Sequence, residues 1–362
     1  MAEEGVAEEG VAEGSIASPA LVTHGRGEAV IQRHTITPRS PDDVLVAPEL
    51  VGLCGTDLEI IDGTIDPAYI HYPITLGHEW CGRIVGSDGQ LGARVVAEGV
   101  IPCRACRFCV IGQTNLCETF DEIGFTRDGA AAGAIFVPRA LLHRIAEGVS
   151  ARTACLVEPS AVVFRALTLA NMAPGQKILI VGDGTIGLLA AYFASLWHPR
   201  RIDMIGGRKE QLALAQRAGV SRFTVDPNGV EDEYDLVLEA AGRPAAVERA
   251  LSASRRGGTV VLVGLAGTGT TAGFDIDQAV NGDITIRGSF SYTSAAFRDV
   301  VGLINDGRVD PSFLITHQFS FARSDAALRR LRHPDGERGK IVVDLSDLST
   351  TDPGDASRSN HG

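Results

Sequence analysis

The chain has 362 residues, 44% of them hydrophobic and 22% charged, enough to bury the cores of about two globular domains. Its 45 acidic and 33 basic residues leave a formal charge of −12, which argues against nucleic acid or an anionic membrane surface as a partner. No apolar run reaches the roughly 18 residues a membrane span needs, and the start lacks the basic, then apolar, pattern of a signal peptide.

Residues 1–18 carry Ala-Glu-Glu-Gly-Val at 2–6 and again at 7–11, with no aromatic and no positive charge. Such a stretch has too little apolar surface to order itself, and a disordered acidic tail is expected. From 19 to 160 the chain is rich in Val, Ile, Gly and Pro, and 44–46, 94–97 and 134–137 read as strands of a β-rich domain. The pattern then changes. Residues 161–171 read as a helix, broken by Pro174 and Gly175, and 177–181 as a buried parallel strand. A helix opens near Thr185. Strands at 201–205, 236–238 and 259–263 alternate with helices at 209–218 and 244–254. Alternation of this kind implies a parallel sheet wound by helices, here over 161–297. Residues 298–345, with a helix at 325–332 and a strand at 340–343, are expected to return to the first domain. Residues 346–362 are mostly small and polar, and are expected to form a second disordered tail. The fold class is therefore α/β, a β-rich domain plus a doubly wound parallel-sheet domain.

Cys103, Cys106, Cys109 and Cys117 form the sharpest motif. Two residues separate the first from the second and the second from the third, and seven separate the third from the fourth. Four thiolates from one short lobe can close a tetrahedron around zinc, leaving no open position, so the site is structural. A disulfide cluster is the alternative, but nothing else in the chain looks secreted, and the cysteine usage fits a reducing cytoplasm. Upstream, Cys54, Thr56 and Asp57 precede Gly77, His78 and Glu79. Cys54, His78 and one carboxylate make an N/S/O set with room for water or substrate, as catalytic zinc requires. Glu79 is one candidate carboxylate. Glu158, at the junction of the two domains, is the other, since a junction position faces the interdomain cleft. Two zinc ions per chain are expected.

Gly182, Asp183, Gly184, Thr185, Ile186 and Gly187 form a Gly-x-Gly-x-x-Gly loop. It follows a strand and opens a helix, the context in which the motif binds a dinucleotide pyrophosphate. Sites for NAD place an acid about 20 residues after the last glycine, on the ribose 2′-hydroxyl. Here Gly206 stands at that place, followed by Gly207, Arg208 and Lys209. With no carboxylate expected there and a guanidinium at hand for a 2′-phosphate, NADP is favoured over NAD. Asp203 is the counter-argument, but it lies inside the strand.

In order and spacing these motifs resemble the medium-chain zinc-dependent alcohol dehydrogenase family, from about residue 19 to 345. The resemblance implies a GroES-like catalytic domain completed by the C-terminal segment, a Rossmann domain between, and a homodimer or homotetramer. Simple alcohol dehydrogenases carry a second cysteine on the catalytic zinc. Glu158 matches that position here, as in the polyol, threonine and sugar dehydrogenase branch. Residues Gly77–Trp80 and Glu122–Gly129 are similar to segments of the 2-deoxy-scyllo-inosamine dehydrogenase group of aminocyclitol biosynthesis, in secondary metabolism. Glucose dehydrogenases are the rival likeness, and a zinc-stabilised, NADP-binding pseudoenzyme the rival class. The family's chemistry gives Thr56 the role of proton relay and Asp57 that of support for the zinc ligands. A small polyhydroxylated substrate is expected, with Asp57, Arg127 and Asp128 as candidates to meet its hydroxyls.

Overall fold

The computed structural model describes residues 14–85, 91–119, 121–231 and 233–348. Val, Ile and Leu runs bounded by charge or glycine become the strands of a six-stranded parallel sheet. Its order is Arg222–Thr224, Arg201–Ile205, Lys177–Val181, Tyr234–Glu239, Ser254–Leu262, Thr285–Gly288. Side chains alternate across a strand, so Ile178 and Ile180 join the core under helices Val157–Leu169 and Thr185–Ala194. Leu179 and Val181 face the other way, towards helix Pro244–Ala253. Both faces are covered, hence the continuous apolar run. Strand order reverses between Lys177–Val181 and Tyr234–Glu239, and sheets of this kind bind ligands outside the carboxyl ends of the strands at such a switch point.

The second large sheet has the order Ile315–Ser320, Lys340–Asp344, Asp43–Leu53, Glu79–Ile84, Arg94–Ala97, Leu142–Arg144, with Ile135–Pro138 also paired to Asp43–Leu53. The C-terminal strand runs antiparallel to Asp43–Leu53, with Ile341 opposite Leu53. That register brings Lys340 to the end of the strand that leads into Cys54. A third, small sheet joins Ala29–Ile36, Ile16–Thr23 and Ile74–Thr75.

Several boundaries differ from the sequence reading. The first strand opens at Ile16, inside the expected tail, and Ser346–Leu348 form a 3₁₀ turn inside the other. The remainder of both tails, 1–13 and 349–362, lies outside the described residues. The helix expected from 161 starts at Val157, which places Glu158 in its first turn. Residues 209–218 split into a 3₁₀ turn, Lys209–Gln211, and a helix, Leu212–Arg217. The junctions at 160/161 and 297/298 fall inside helices Val157–Leu169 and Ser294–Asn305. Among the described residues no helix is long and apolar enough to cross a membrane.

Candidate active site and cofactor cleft

The cysteine lobe has exposed Val110 and Ile111 and no apolar centre of its own. Its four sulfurs instead lie within 4.8 Å of one another, and all four thiols are free. The Cys103 and Cys109 sulfurs are 4.0 Å apart, near the edge of a tetrahedron built on Zn–S bonds of about 2.3 Å. The backbone N–H of Cys103 donates to Cys117 Sγ and that of Cys106 to Cys103 Sγ, both at 3.3 Å. Amide donors from Glu118 and Cys109 lower the Cys106 thiol to about 6. Donors aimed at sulfur favour the thiolate at Cys103 and Cys106, whereas burial pushes Cys109 up to about 12, and it is the convergence of the four sulfurs that fits a closed zinc site.

The open set assembles where two strands end. Gly52 pairs opposite Glu79, so Cys54 and His78, just beyond, come together. Cys54 Sγ lies 3.0 Å from His78 Nε2, and Cys54, His78 and Glu79 each offer a ligand atom within 4.8 Å of the others. Cys54 caps helix Gly55–Asp62, which starts with Gly55 and half-buried Thr56 and closes its first turn with Asp57. Asp57 Oδ2 accepts the Cys54 N–H at 2.8 Å, while Oδ1 stands 3.6 Å from His78 Nδ1. Burial raises the Asp57 carboxyl above its usual range, opposed by His78. Glu79 is ion-paired with Lys340, which also donates to Leu53 O at 3.1 Å.

Two further acids act on this cluster through their charge, from outside the Cys54, His78 and Glu79 set. Burial, then the Glu79 charge, pushes Glu158 up to about 8, opposed by His78. Burial pushes Glu122 up to about 7, again opposed by His78. Burial disfavours charge on His78, yet Cys54 and Asp57 outweigh it and raise the imidazole well above its ordinary value. A thiol and several carboxyls that together draw positive charge to one spot fit a divalent cation. Phe125 packs on the imidazole with ring centroids 5.3 Å apart. Tyr292, fully buried, accepts the Gly99 N–H at 2.8 Å beside Glu122. The sequence reading did not single out Glu122, Tyr292 or Lys340 as site residues. Glu122 lay in a segment noted only for likeness, and Tyr292 and Lys340 carry no motif. Two expected substrate contacts are already engaged. Arg127 Nε donates to Asp121 Oδ2 at 2.6 Å, and Asp128 holds His34 Nε2 at 2.9 Å and the Thr75 N–H at 3.1 Å. Both fix the 121–128 turn, because a loop charge beside an opposite partner is better used there than left free.

At the cofactor loop, Gly182 has φ 122°, a conformation open to glycine. A Cβ on Gly187 would collide with Gly182 O, so Thr185–Ala194 can pack this closely only through glycine. A Cβ on Gly184 would meet nothing within 4 Å, which leaves the helix N-terminus, with Thr185 and Ile186 behind it, open to a pyrophosphate. Asp203 is fully buried and bound by Tyr234 OH at 2.6 Å and Arg201 Nε at 2.9 Å, which removes it from the cleft. One expectation is corrected. A carboxylate does stand at the end of the second strand, supplied by the glycine loop. Asp183 Oδ2 lies 2.8 Å from where a Gly206 Cβ would be, and accepts the N–H groups of Gly207 (2.9 Å) and Arg208 (3.1 Å). Gly206 is required because a side chain would also strike the Phe223 ring. Lys209 follows, exposed, at the start of its 3₁₀ turn.

Comparison with known proteins agrees with this arrangement. Residues 40–147 match the alcohol dehydrogenase GroES-like domain and residues 185–306 the zinc-binding dehydrogenase family. The chain is 31% identical over 328 residues to "Probable D-xylulose reductase A" of Neosartorya fischeri, covering 84% of this chain and 90% of that protein. It is 30% identical to the L-galactonate-5-dehydrogenase of Escherichia coli K12, covering 82% and 89%. A zinc-binding dehydrogenase of Sinorhizobium meliloti 1021, solved bound to NADP, superposes with a TM-score of 0.84 at 25% identity, covering 91% of this chain and 99% of that one. The chain belongs to the medium-chain zinc-dependent alcohol dehydrogenases, in their polyol and sugar dehydrogenase branch. It is an NAD(P)-dependent oxidoreductase of CH–OH groups.

Proposed function

We propose that the chain interconverts a secondary alcohol and ketone on a small sugar, cyclitol or aminocyclitol in a reducing cytoplasm, with NADP(H) preferred to NAD(H). Zinc, when bound, supplies a Lewis acid at the substrate oxygen, and the nicotinamide supplies or takes the hydride. Cys54, His78 and a carboxylate would hold the metal. Glu158 suits that role better than Glu79, whose charge Lys340 already balances. Thr56 Oγ1, at the start of the helix beside Cys54, can take the substrate's hydroxyl proton and pass it on. Asp57 anchors the Cys54 backbone and faces His78 Nδ1, which orients both groups. Support for NADP comes from Arg208 at the strand end. Asp183 does not undo it, since its Oδ2 is spent on two backbone N–H groups.

The observation that carries the substrate class is the match to polyol and sugar dehydrogenases, joined by an acid that acts on His78 and is not given to the metal. That acid is Glu122, buried beside Gly99, and a carboxyl there can bond substrate hydroxyls. A site that bonds hydroxyls rejects analogues lacking them by up to about 10⁴. Polyols, cyclitols and aldoses should therefore exceed short aliphatic or benzylic alcohols in kcat/KM by a factor approaching that size. Plain alcohols turning over faster would defeat the assignment.

Self-association is proposed from the sheet edge. Strand Thr285–Gly288 is exposed along its whole length, and Phe274, Ile276, Val280 and Ile286 near it are exposed too. An apolar open edge invites a second strand, and a two-fold pairing of identical edges closes the assembly as a homodimer. Light scattering should give twice the 38.1 kDa chain mass, and Ile286→Lys should yield monomer. A monomeric wild type would refute it.

A further inference from the structure

Three segments build the end of the cleft where the second strand finishes, and Gln211 joins them. This side chain is fully buried. Its Nε2 donates to Asp183 O at 2.6 Å and to Arg338 O at 2.9 Å, and its Oε1 accepts the Arg338 N–H at 2.8 Å. One amide thus clamps the loop before the C-terminal strand to the glycine loop. Asp183, through its bonds to Gly207 and Arg208, ties in the turn after the second strand. Arg338 is thereby fixed in the neighbourhood of Arg208, although the two are far apart in sequence.

Their charges are poorly matched by the protein. Arg208 Nη1 is buried without a hydrogen-bond partner, and its Nε stands 4.0 Å from Asp183 Oδ2. Arg338 is half-buried and gives Nη1 to Leu331 O at 2.6 Å. Its other side-chain N–H groups have no partner among the described residues. Burial, then the charges of Arg208 and Arg330, depress its guanidinium, with Asp183 opposing. Arg330 is itself ion-paired with Asp335. Two incompletely satisfied guanidinium groups therefore stand near one carboxylate, Asp183, whose Oδ2 already accepts two backbone N–H groups, and like charges held together are unfavourable without an anion. A phosphomonoester carries close to two negative charges near neutrality and suits the planar donor fork of arginine.

We propose that Arg338 is a second ligand for the adenosine 2′-phosphate of NADP and, with Arg208, determines cofactor specificity. Gln211 is its positioning residue. Cofactor binding then links the C-terminal segment, which carries Lys340, to the nucleotide-binding sheet. The inference deepens the NADP reading above and rests on it.

The test is calorimetric titration of the full chain with 2′,5′-ADP and with 5′-AMP, probes that lack nicotinamide and need no turnover. Wild type should bind 2′,5′-ADP the more tightly. Arg208→Ala and Arg338→Gln should each weaken 2′,5′-ADP by about tenfold to a hundredfold, the range for a charge-assisted bond, while 5′-AMP changes by less than about twofold. Arg338→Lys, which keeps the charge, should retain part of the lost affinity. If Arg338→Gln binds 2′,5′-ADP as wild type does while Arg208→Ala does not, the role given to Arg338 is wrong and the NADP reading stands. Equal weakening of both probes by Arg338→Gln would assign the residue to loop structure alone and overturn the proposal. Equal affinity of wild type for the two probes would remove the NADP reading itself.

Discussion

Replacing Cys54 by Ser is expected to lower kcat/KM by about 10³ or more with the melting temperature nearly unchanged, whereas Cys106→Ser should cost the fold. The difference follows from what each metal does. A Lewis acid at the reacting oxygen supplies several kcal/mol in the transition state, and each 1.4 kcal/mol is about tenfold in rate. Cys54 sits at a strand end whose packing does not depend on the metal, since Leu53 and Val51 beside it are already buried. The 103–117 lobe has only a four-residue helix, a 3₁₀ turn and exposed Val110 and Ile111 to offer. Metal binding there is folding energy. Metal analysis of the wild type should find close to two zinc ions per chain, and the folded Cys54→Ser variant about one. Thermal scans and steady-state rates on the same preparations decide the matter. An equal loss of fold in both variants would refute the division of labour, and so would an active Cys54→Ser enzyme.

How far the sequence could be read depended on whether chemistry lay in a run of residues or in a meeting of runs. Residues 94–97, 177–181 and 201–205 were legible to the residue, because each is a short apolar stretch with charge or glycine at its edges. The glycine loop and the four cysteines were legible because spacing alone fixes their geometry. The hairpin Ile16–Thr23 with Ala29–Ile36 was not. Its second strand is exposed over most of its length, so no buried face imposes alternation, and its first strand merges with the acidic tail. Helix Val157–Leu169 was read four residues late because Glu158 and Pro159 look like a break, although proline is at home in a helix's first turn. In the sequence Asp183 reads only as one member of the cofactor-binding glycine loop. Only folding shows its carboxylate beside Gly206, the place normally held by an acid from the strand. Lys340, Gln211 and Arg338 act across lobes, and their partners lie far away in the chain.

Lys340→Met is expected to destabilise the protein by about 3–5 kcal/mol, the range for removing one partner of a buried ion pair. Lys340 is 1% exposed and Glu79 3%, so neither charge has water to fall back on. The ammonium reaches Glu79 and also the Leu53 carbonyl at 3.1 Å, and so ties the C-terminal strand to the segment leading into Cys54. Methionine fills similar volume but leaves the Glu79 carboxylate without the ammonium that pairs with it. Burial alone would depress the Lys340 ammonium, but Glu79 and the Cys54 thiol reverse this and raise it. A raised lysine contributes stability that is present below its unfolded value and lost as pH rises through the folded one. The contribution is therefore intact at neutral pH, where the test is made. The double variant Lys340→Met with Glu79→Gln should recover part of the loss, because a neutral amide is far cheaper to bury than an unpaired carboxylate. Denaturant titration of the single and double variants measures both effects. A Lys340→Met protein as stable as wild type would mean that Glu79 is neutralised by something other than this lysine.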